Sequence, residues 1–411
     1  MSSYVIKPGD TFERIARQVY GDDLKAYILR DGNPGARDPL VPGESVIVPP
    51  DPAATLDVVG VVSASSPNEV ALQVNGTRFR GWDSVTITRA IDTVTVVEFT
   101  APFDPSDALS RATFKPFAFQ DVAVDIGGER LFTGTMVTPV PSVTDTAITL
   151  SVSCYGKPGV LGDCTAPASA YPIEWDQATL KTIAEAAAKT LGIGVQFDGD
   201  PGAAFPRVAL NPGEKVLDFL SSLAAQRNLV IGDTPDGKLL FPKLVESGPA
   251  VADFLVGVAG PTIAVTPQFS SQEYFSHVTG IAPLIIGLAG TQFTVTNAKL
   301  ADVLRPATFD SRDMIDNDVA ASVNSKAGRM FASAIVYEVQ LVTWRDPSGK
   351  LWEPNTLVTL TAPGAFVFSK STFLIRSVTL TKTDNSEQAT LSLILPGTLS
   401  GAVPSRLPWD E

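Results

Sequence analysis

The chain is divided into strand-length runs by turn dipeptides, and that alternation constrains its fold more than any other feature. Val70–Val74 and residues 77–80 flank Asn75-Gly76, a pair whose left-handed backbone suits the type I′ turn of a tight hairpin. In the next run Trp82, Ser84, Thr86 and Thr88 lie on one face and Val85 and Ile87 on the other, the period of a half-buried strand. Residues 94–100, 117–126, 131–136 and 147–155 read as further strands, the middle two meeting across Gly127-Gly128. The 32 glycines and 32 prolines are scattered between such runs, which favours a mainly β protein.

The period changes near residue 176. Leu180, Ile183, Ala184, Ala187 and Leu191 share one face of a predicted helix over 176–191, which Gly192 and Gly194 end. A strand at 195–197 follows. Asn211-Pro212-Gly213 opens a second helix running to Asn228, with Val216, Leu217, Leu220 and Leu223 inward. Residues 229–231 and 239–241 pair around Asp236-Gly237, completing an α+β insert. A second β region then has strands at 337–344, 357–360, 373–382 and 389–395. It holds one helix, 318–334, capped by Asp316 or Asn317, and its turns are Asp346-Pro347-Ser348-Gly349 and Thr383-Asp384-Asn385-Ser386. The tail 403–411 reads as extended.

The first fifty residues form a separate small unit. A strand around Val5 ends at Pro8-Gly9, and Asp10 with Glu13 resembles a capping box opening a helix with Phe12, Ile15, Ala16 and Val19 inward. Leu24, Tyr27 and Ile28 support a second helix, Asn33-Pro34-Gly35 a turn, and Val46, Ile47 and Val48 a return strand. Tyr4-Val5-Ile6-Lys7-Pro8-Gly9-Asp10-Thr11 and Leu40-Val41-Pro42-Gly43-Glu44 resemble a LysM module of β-α-α-β order. Tyr20-Gly21-Asp22 and the Asn-Pro-Gly turn also resemble the small tail protein X family of phages. The resemblance implies a shallow groove at Gly9, Asp10, Thr11, Asn33 and Pro34. That groove either binds peptidoglycan N-acetyl sugars through backbone groups or docks another tail protein, the reading favoured here.

Charge and chemistry narrow the remaining functions. A net charge of −13 argues against wrapping nucleic acid, since phosphate neutralisation needs basic clusters. Cys154 and Cys164 could pair, but two buried free thiols are the expectation in a reducing cytoplasm, and with one histidine they are too few for a zinc site. No cofactor is implied. His277 sits in a strand-like context. Gly232 to Lys238 has P-loop spacing, but Leu239 stands where Ser or Thr is required, so it reads as a turn. The acidic run Asp310, Asp313, Asp316, Asp318 departs from a calcium loop at Ala320. Glu98 with Asp104, and Asp198 with Asp200, read as surface carboxylates, and Trp82, Trp175, Trp344 and Trp352 as core or interface anchors. Residues 1–7 lack a secretory start, and the apolar stretch 280–290 is too short to span a bilayer.

The order of β region, α+β insert and second β region resembles the central baseplate hub proteins of contractile phage tails, especially the Mu-like family. The segments that carry the likeness run in order. They are Asn75 to Ile91; Asp125-Ile126-Gly127-Gly128-Glu129-Arg130 leading to Phe132-Thr133-Gly134; Leu351-Trp352-Glu353-Pro354-Asn355; and 373–378 with 389–393. The resemblance implies a LysM-like module at 1–50, a linker at 51–58, a tube-like β-barrel at 59–168, the α+β insert at 169–248, a second tube-like barrel with one helix at 249–398 and an extended tail at 399–411. It implies a structural virion protein rather than an enzyme, assembled in the host cytoplasm and located in the tail baseplate. Three copies would present six barrels, so a homotrimer could join a sixfold tail tube protein to a threefold central spike protein around a DNA channel. Baseplate wedge or other hub proteins, the tape measure protein, and peptidoglycan are the further partners implied, with no sequence-specific nucleic acid and no membrane span. The hub of a phage-derived contractile injection particle, and a LysM-anchored peptidoglycan-binding protein or cell-wall enzyme, stay open as alternatives.

Overall fold

In a computed structural model the described residues are 2–20, 26–33, 35–36, 39–48, 67–79, 82–145, 147–257, 260–283, 289–310, 319–383 and 386–410. The chain divides into two compact units, 1–66 and 67–411. The expected linker 51–58, Gly21-Asp22, Leu24, Pro34, Arg80, Gly81, residues 284–288, Asp313, Asp316 to Asp318 and Asp384-Asn385 lie outside the described residues.

The first unit has the order β1 (Ser2–Val5), α1 (Phe12–Tyr20), α2 (Ala26–Gly32), β2 (Ser45–Val48), with β1 and β2 antiparallel. Phe12, Ile15 and Ala16 of α1 pack on Ala26 and Leu29 of α2 and on Val46 and Val48 of β2. The cap differs from expectation. Thr11 Oγ1 accepts from Arg14 N at 3.3 Å, while the Asp10 carboxylate turns back to accept from Lys7 N at 2.8 Å. Asp10 precedes the cap position by one residue, so it closes the loop rather than the helix.

The body opens with β3 (Val70–Val74), β4 (Thr77–Phe79), β5 (Ser84–Ala90), β6 (Val96–Pro102), α3 (Ala108–Thr113), β7 (Asp121–Ile126), β8 (Glu129–Val143) and β9 (Ile148–Gly156). The insert contributes α4 (Val160–Asp163), β10 (Ile173–Ala178), α5 (Leu180–Lys189), β11 (Val195–Phe197), β12 (Phe205–Leu210), α6 (Val216–Ala225), β13 (Gly232–Asp233) and β14 (Leu239–Phe241). The second β region holds β15 (Ala252–Leu255), β16 (Thr262–Phe269), β17 (His277–Pro283), β18 (Ala289–Thr296), β19 (Pro306–Asp310), α7 (Val319–Ala334), β20 (Ile335–Leu341), β21 (Leu357–Ala362), β22 (Val367–Thr383) and β23 (Glu387–Ile394).

Strands of both β regions share one sheet, in the order β16-β20-β23-β22-β5-β6-β9-β8-β7-β3-β4, with β21 on β22 and β15 on β21, while β18-β17-β19 form a separate three-stranded sheet. The seam of the shared sheet is β5 against β22, antiparallel, with Thr88 opposite Thr379. β22 is 17 residues long, enough to pair with β21 through its first half and with β23 and β5 through its second. A single apolar core runs beneath, taking Ile87, Phe99 and Val152 from the first region and Tyr337, Val358 and Phe373 from the second. Each such side chain contributes about 1.5–3 kcal/mol by leaving water.

The insert has its own core, formed by Leu180, Ile183 and Ala187 of α5, Phe219, Leu220 and Leu223 of α6, and Leu239 and Phe241 of β14. Helix α5 starts later than the period suggests, because Thr179 caps it by accepting from Thr182 N at 3.3 Å. Residues 173–178 are instead a strand against β12. Two further departures concern the ends of elements. The strand expected from 117 begins at Asp121, since Phe117 and Phe119 take φ of +61° and +49°. The tail is anchored rather than extended: Leu407 is buried, and Asp410 accepts from Leu407 N at 2.8 Å and from Lys299 Nζ at 2.5 Å.

Candidate functional site

In the first unit the candidate groove residues hold their own loops. Gly9, at φ +86°, turns the chain between β1 and α1, and its carbonyl accepts from Arg14 Nη1 at 2.9 Å. Asp10 Oδ2 also accepts from Tyr4 Oη at 3.1 Å. Asn33 is a clamp: its amide donates to Leu29 O at 2.8 Å and to Ile47 O at 2.7 Å, and its Oδ1 accepts from Ile47 N at 2.7 Å. It ties the end of α2 to β2, a role that the turn chemistry of Asn-Pro-Gly did not suggest.

In the body, groups singled out for chemistry have structural partners. Ser276 Oγ accepts from Arg305 N at 2.9 Å and is hydrogen-bonded to His277 Nδ1, also at 2.9 Å. Asp104 accepts from Ser106 N and Oγ, and these bonds hold its carboxyl below the usual range. Asp200 accepts from Gly202 N and Asp198 from Gln196 Nε2. The stretch from Gly232 is a strand and a turn, with Gly237 at φ +83° and Lys238 paired to Asp236 at 2.7 Å. Both cysteines are free thiols. Cys154 is buried, which pushes its thiol up to about 12, whereas Cys164 ends the short α4 and is exposed, contrary to expectation. Among the described residues no three His, Cys, Asp or Glu side chains gather as a metal site. Trp344 and Trp352 are core anchors whose indole N–H groups donate to Gln388 O and Thr343 O. Trp175 stacks on Phe219, with ring centres 5.8 Å apart.

A polar seam joins the insert to the sheet. Asp233 on β13 accepts from Thr95 N at 2.9 Å and Thr95 Oγ1 at 2.8 Å. Burial raises the Asp233 carboxyl above its ordinary range, against the opposing pull of the Thr95 bonds and the Arg89 charge. Burial likewise lowers Arg89 despite nearby Glu353 and Asp233. Asn355, at φ +64°, donates to Lys243 O at 2.9 Å and accepts from Val245 N at 2.9 Å, fixing the exit from the insert. Arg329 donates to Leu229 O at 2.9 Å. A cavity of about 150 Å³ lies between Arg89, Asp233 and Asn355. These groups position the insert against the sheet, through hydrogen bonds to backbone atoms and to the Thr95 hydroxyl.

The segments quoted for the hub resemblance have physical reasons. Gly134 closes Phe132-Thr133-Gly134 because a Cβ there would meet Tyr155 O at 2.1 Å and the Phe132 ring at 2.2 Å. Trp352 and Asn355 anchor the Trp-Glu-Pro-Asn segment to core and insert, and the Gly127-Gly128 turn joins β7 to β8.

The fold, a large sheet carrying an α+β insert, is shared by phage tail proteins of known structure. Residues 158–243 match the family described as baseplate hub protein gp44-like, second domain. The baseplate hub protein gp44 of Escherichia phage Mu is 25% identical over 346 residues, 80% of this chain and 88% of gp44. The 43 kDa tail protein of prophage MuSo2 from Shewanella oneidensis has a TM-score of 0.70 at 26% identity, covering 80% of this chain and 99% of that one. The tail protein from Neisseria meningitidis shares the fold at a TM-score of 0.69 and 18% identity, covering 82% and 99%. Over most of its length the chain is thus similar to the structural baseplate hub protein gp44 of phage Mu, and its α+β insert matches the second domain of that hub family.

Proposed function

We propose that three copies of this chain form the central hub of the baseplate, joining a sixfold tail tube to a threefold spike around a channel for DNA. The observation that carries this reading is the β5–β22 seam, which makes one rigid piece of two β regions. Two β units per chain, repeated three times about an axis, present six to the tube while keeping threefold symmetry for the spike. The tube-like barrels expected at 59–168 and 249–398 are part of this proposal. The net charge of −13 suits a channel along which DNA slides without binding. The first unit docks a further tail component, such as a wedge or tape measure protein. Asp10 and Asn33 are engaged internally, so a partner at this groove would meet mainly backbone groups.

Light scattering tests the assembly. Three copies of the 43.4 kDa chain give about 130 kDa. A mass near that value, with co-purification of tube protein, supports the hub, and a monomer that retains neither tube nor spike protein would overturn it. Retention of the chain on purified peptidoglycan, lost on deleting 1–50, would overturn the docking role of the first unit.

A further inference from the structure

Helix α7 has two faces of different chemistry. Val319, Val323 and Ala327 are buried with Val278 and Ala282 of β17. Ser322, Ser325, Lys326 and Arg329 follow one another at helical spacing and form a second stripe. With Ala225 of α6 and Phe309 of β19 they line a cavity of about 260 Å³. The helix uses alanine freely, at 320, 321, 327, 332 and 334, so serine at 322 and 325 departs from its own pattern and from the better helix former.

The second stripe is polar where the chain is closely packed. Ser322 is 3% exposed and Ser325 1%. Among the described residues neither hydroxyl has a hydrogen-bond partner, not even the preceding helical carbonyl that a mid-helix serine can reach. Arg329 directs Nη2 to Leu229 O at 2.9 Å, but its buried Nε has no partner. Asp92, the carboxylate whose charge reaches Arg329, is held by Arg376, which donates to it from Nε at 3.0 Å and from Nη2 at 2.7 Å. Two guanidinium groups thus share one carboxylate. Burial lowers Arg329 below its ordinary value despite Asp92, and the charge of Arg376 adds to that. Lys326, exposed beside the cavity, brings a further positive charge, its Nζ 5.2 Å from the centre of the Phe309 ring. Buried donors and a buried charge without partners are costly, and here three such groups face one cavity.

We propose that this cavity binds a phosphate-type oxyanion, to which Ser322 Oγ, Ser325 Oγ and Arg329 Nε donate while Lys326 supplies charge. Two hydroxyls, a guanidinium N–H and an ammonium outnumber what the two oxygens of a carboxylate engage. They suit the three free oxygens of a phosphate monoester or the four of inorganic phosphate. The walls made by Phe309 and Ala225 are apolar and can face the organic group that a monoester carries. The site is independent of the hub reading, because every group in it belongs to one chain. Its consequence is local: α6 lies in the insert and α7 and β19 in the second β region, so a bound anion fastens one to the other.

Thermal melts of the full chain in phosphate and in chloride at equal ionic strength test this, and calorimetric titration with inorganic phosphate and with phenyl phosphate gives affinities. The variants are S322A/S325A and K326Q. Wild type melts higher as phosphate rises, since a ligand of the folded state stabilises it by mass action. S322A/S325A loses hydroxyls that no protein group uses, so in chloride it melts at or above the wild-type temperature. Its phosphate affinity falls by about tenfold or more, the loss of two hydrogen bonds to a charged group. Lys326 is exposed, so K326Q keeps the wild-type melt in chloride and binds phosphate more weakly. Tighter binding of phenyl phosphate than of inorganic phosphate assigns a monoester, and the reverse assigns the free ion. Three results overturn the proposal. One is wild type melting alike in the two salts. Another is phosphate raising the melt of S322A/S325A as much as that of wild type. The third is S322A/S325A melting lower in chloride, which would make the two hydroxyls structural.

Discussion

At the scale of residues, the chain depends on a few positions where nothing else fits. Gly134 is one. Gly134→Ala drives a methyl group into Tyr155 O and the Phe132 ring, and is expected to cost about 1–3 kcal/mol, read as a lower urea midpoint with unchanged slope. Asn33→Ala removes three hydrogen bonds between α2 and β2, and is expected to destabilise the first unit by about 1–3 kcal/mol in its thermal melt. Asp233 gives a pH dependence whose sign follows from its raised folded-state value. Folding favours its protonated form. Its contribution is therefore fully present below the ordinary aspartate range and is lost as pH rises through the folded value. Urea midpoints of wild type and Asp233→Asn, compared from acid to neutral pH, should show wild type losing stability relative to the variant across that window. A constant difference would mean that Asp233 is not the titrating group. None of these positions announced itself fully in the sequence. Gly134 lies in a recognisable segment, but its reason is the Tyr155 carbonyl of another strand. Asp233 reads as part of a turn until Thr95 is brought to it.

At the scale of elements, the strongest local signals were legible. The Asn75-Gly76 hairpin, the helix-loop-helix order of the first unit and the two helices of the insert follow from turn chemistry and from period. What escaped is pairing between distant segments. β11 with β14, β15 with β21 and β17 with β19 are parallel pairs, and no adjacent turn marks such a pairing. β10 was hidden because its residues run without a break into the pattern of α5, and only the Thr179 cap separates them. The seam is the element with most at stake. Thr379→Pro places a ring in the middle of β22, between β23 and β5. About 3 kcal/mol or more should be lost, with the fall in cooperativity visible in calorimetry.

At the scale of the molecule, the shared sheet and core make the body from Pro67 onward one unit rather than a string of β domains. Calorimetry of that body should give one main transition, and two well-separated transitions for the β regions would contradict a common core. The seam has a further consequence for how the protein is made. Thr88 meets Thr379 across 291 positions of sequence, so β5 emerges from the ribosome long before its partner exists. Until β22 has been translated, the first β region holds an open edge and an uncovered apolar face, the slow, non-local kind of closure. A chain cut short before β22 cannot complete the sheet. Whatever is translated before that strand keeps the β5 edge without its partner.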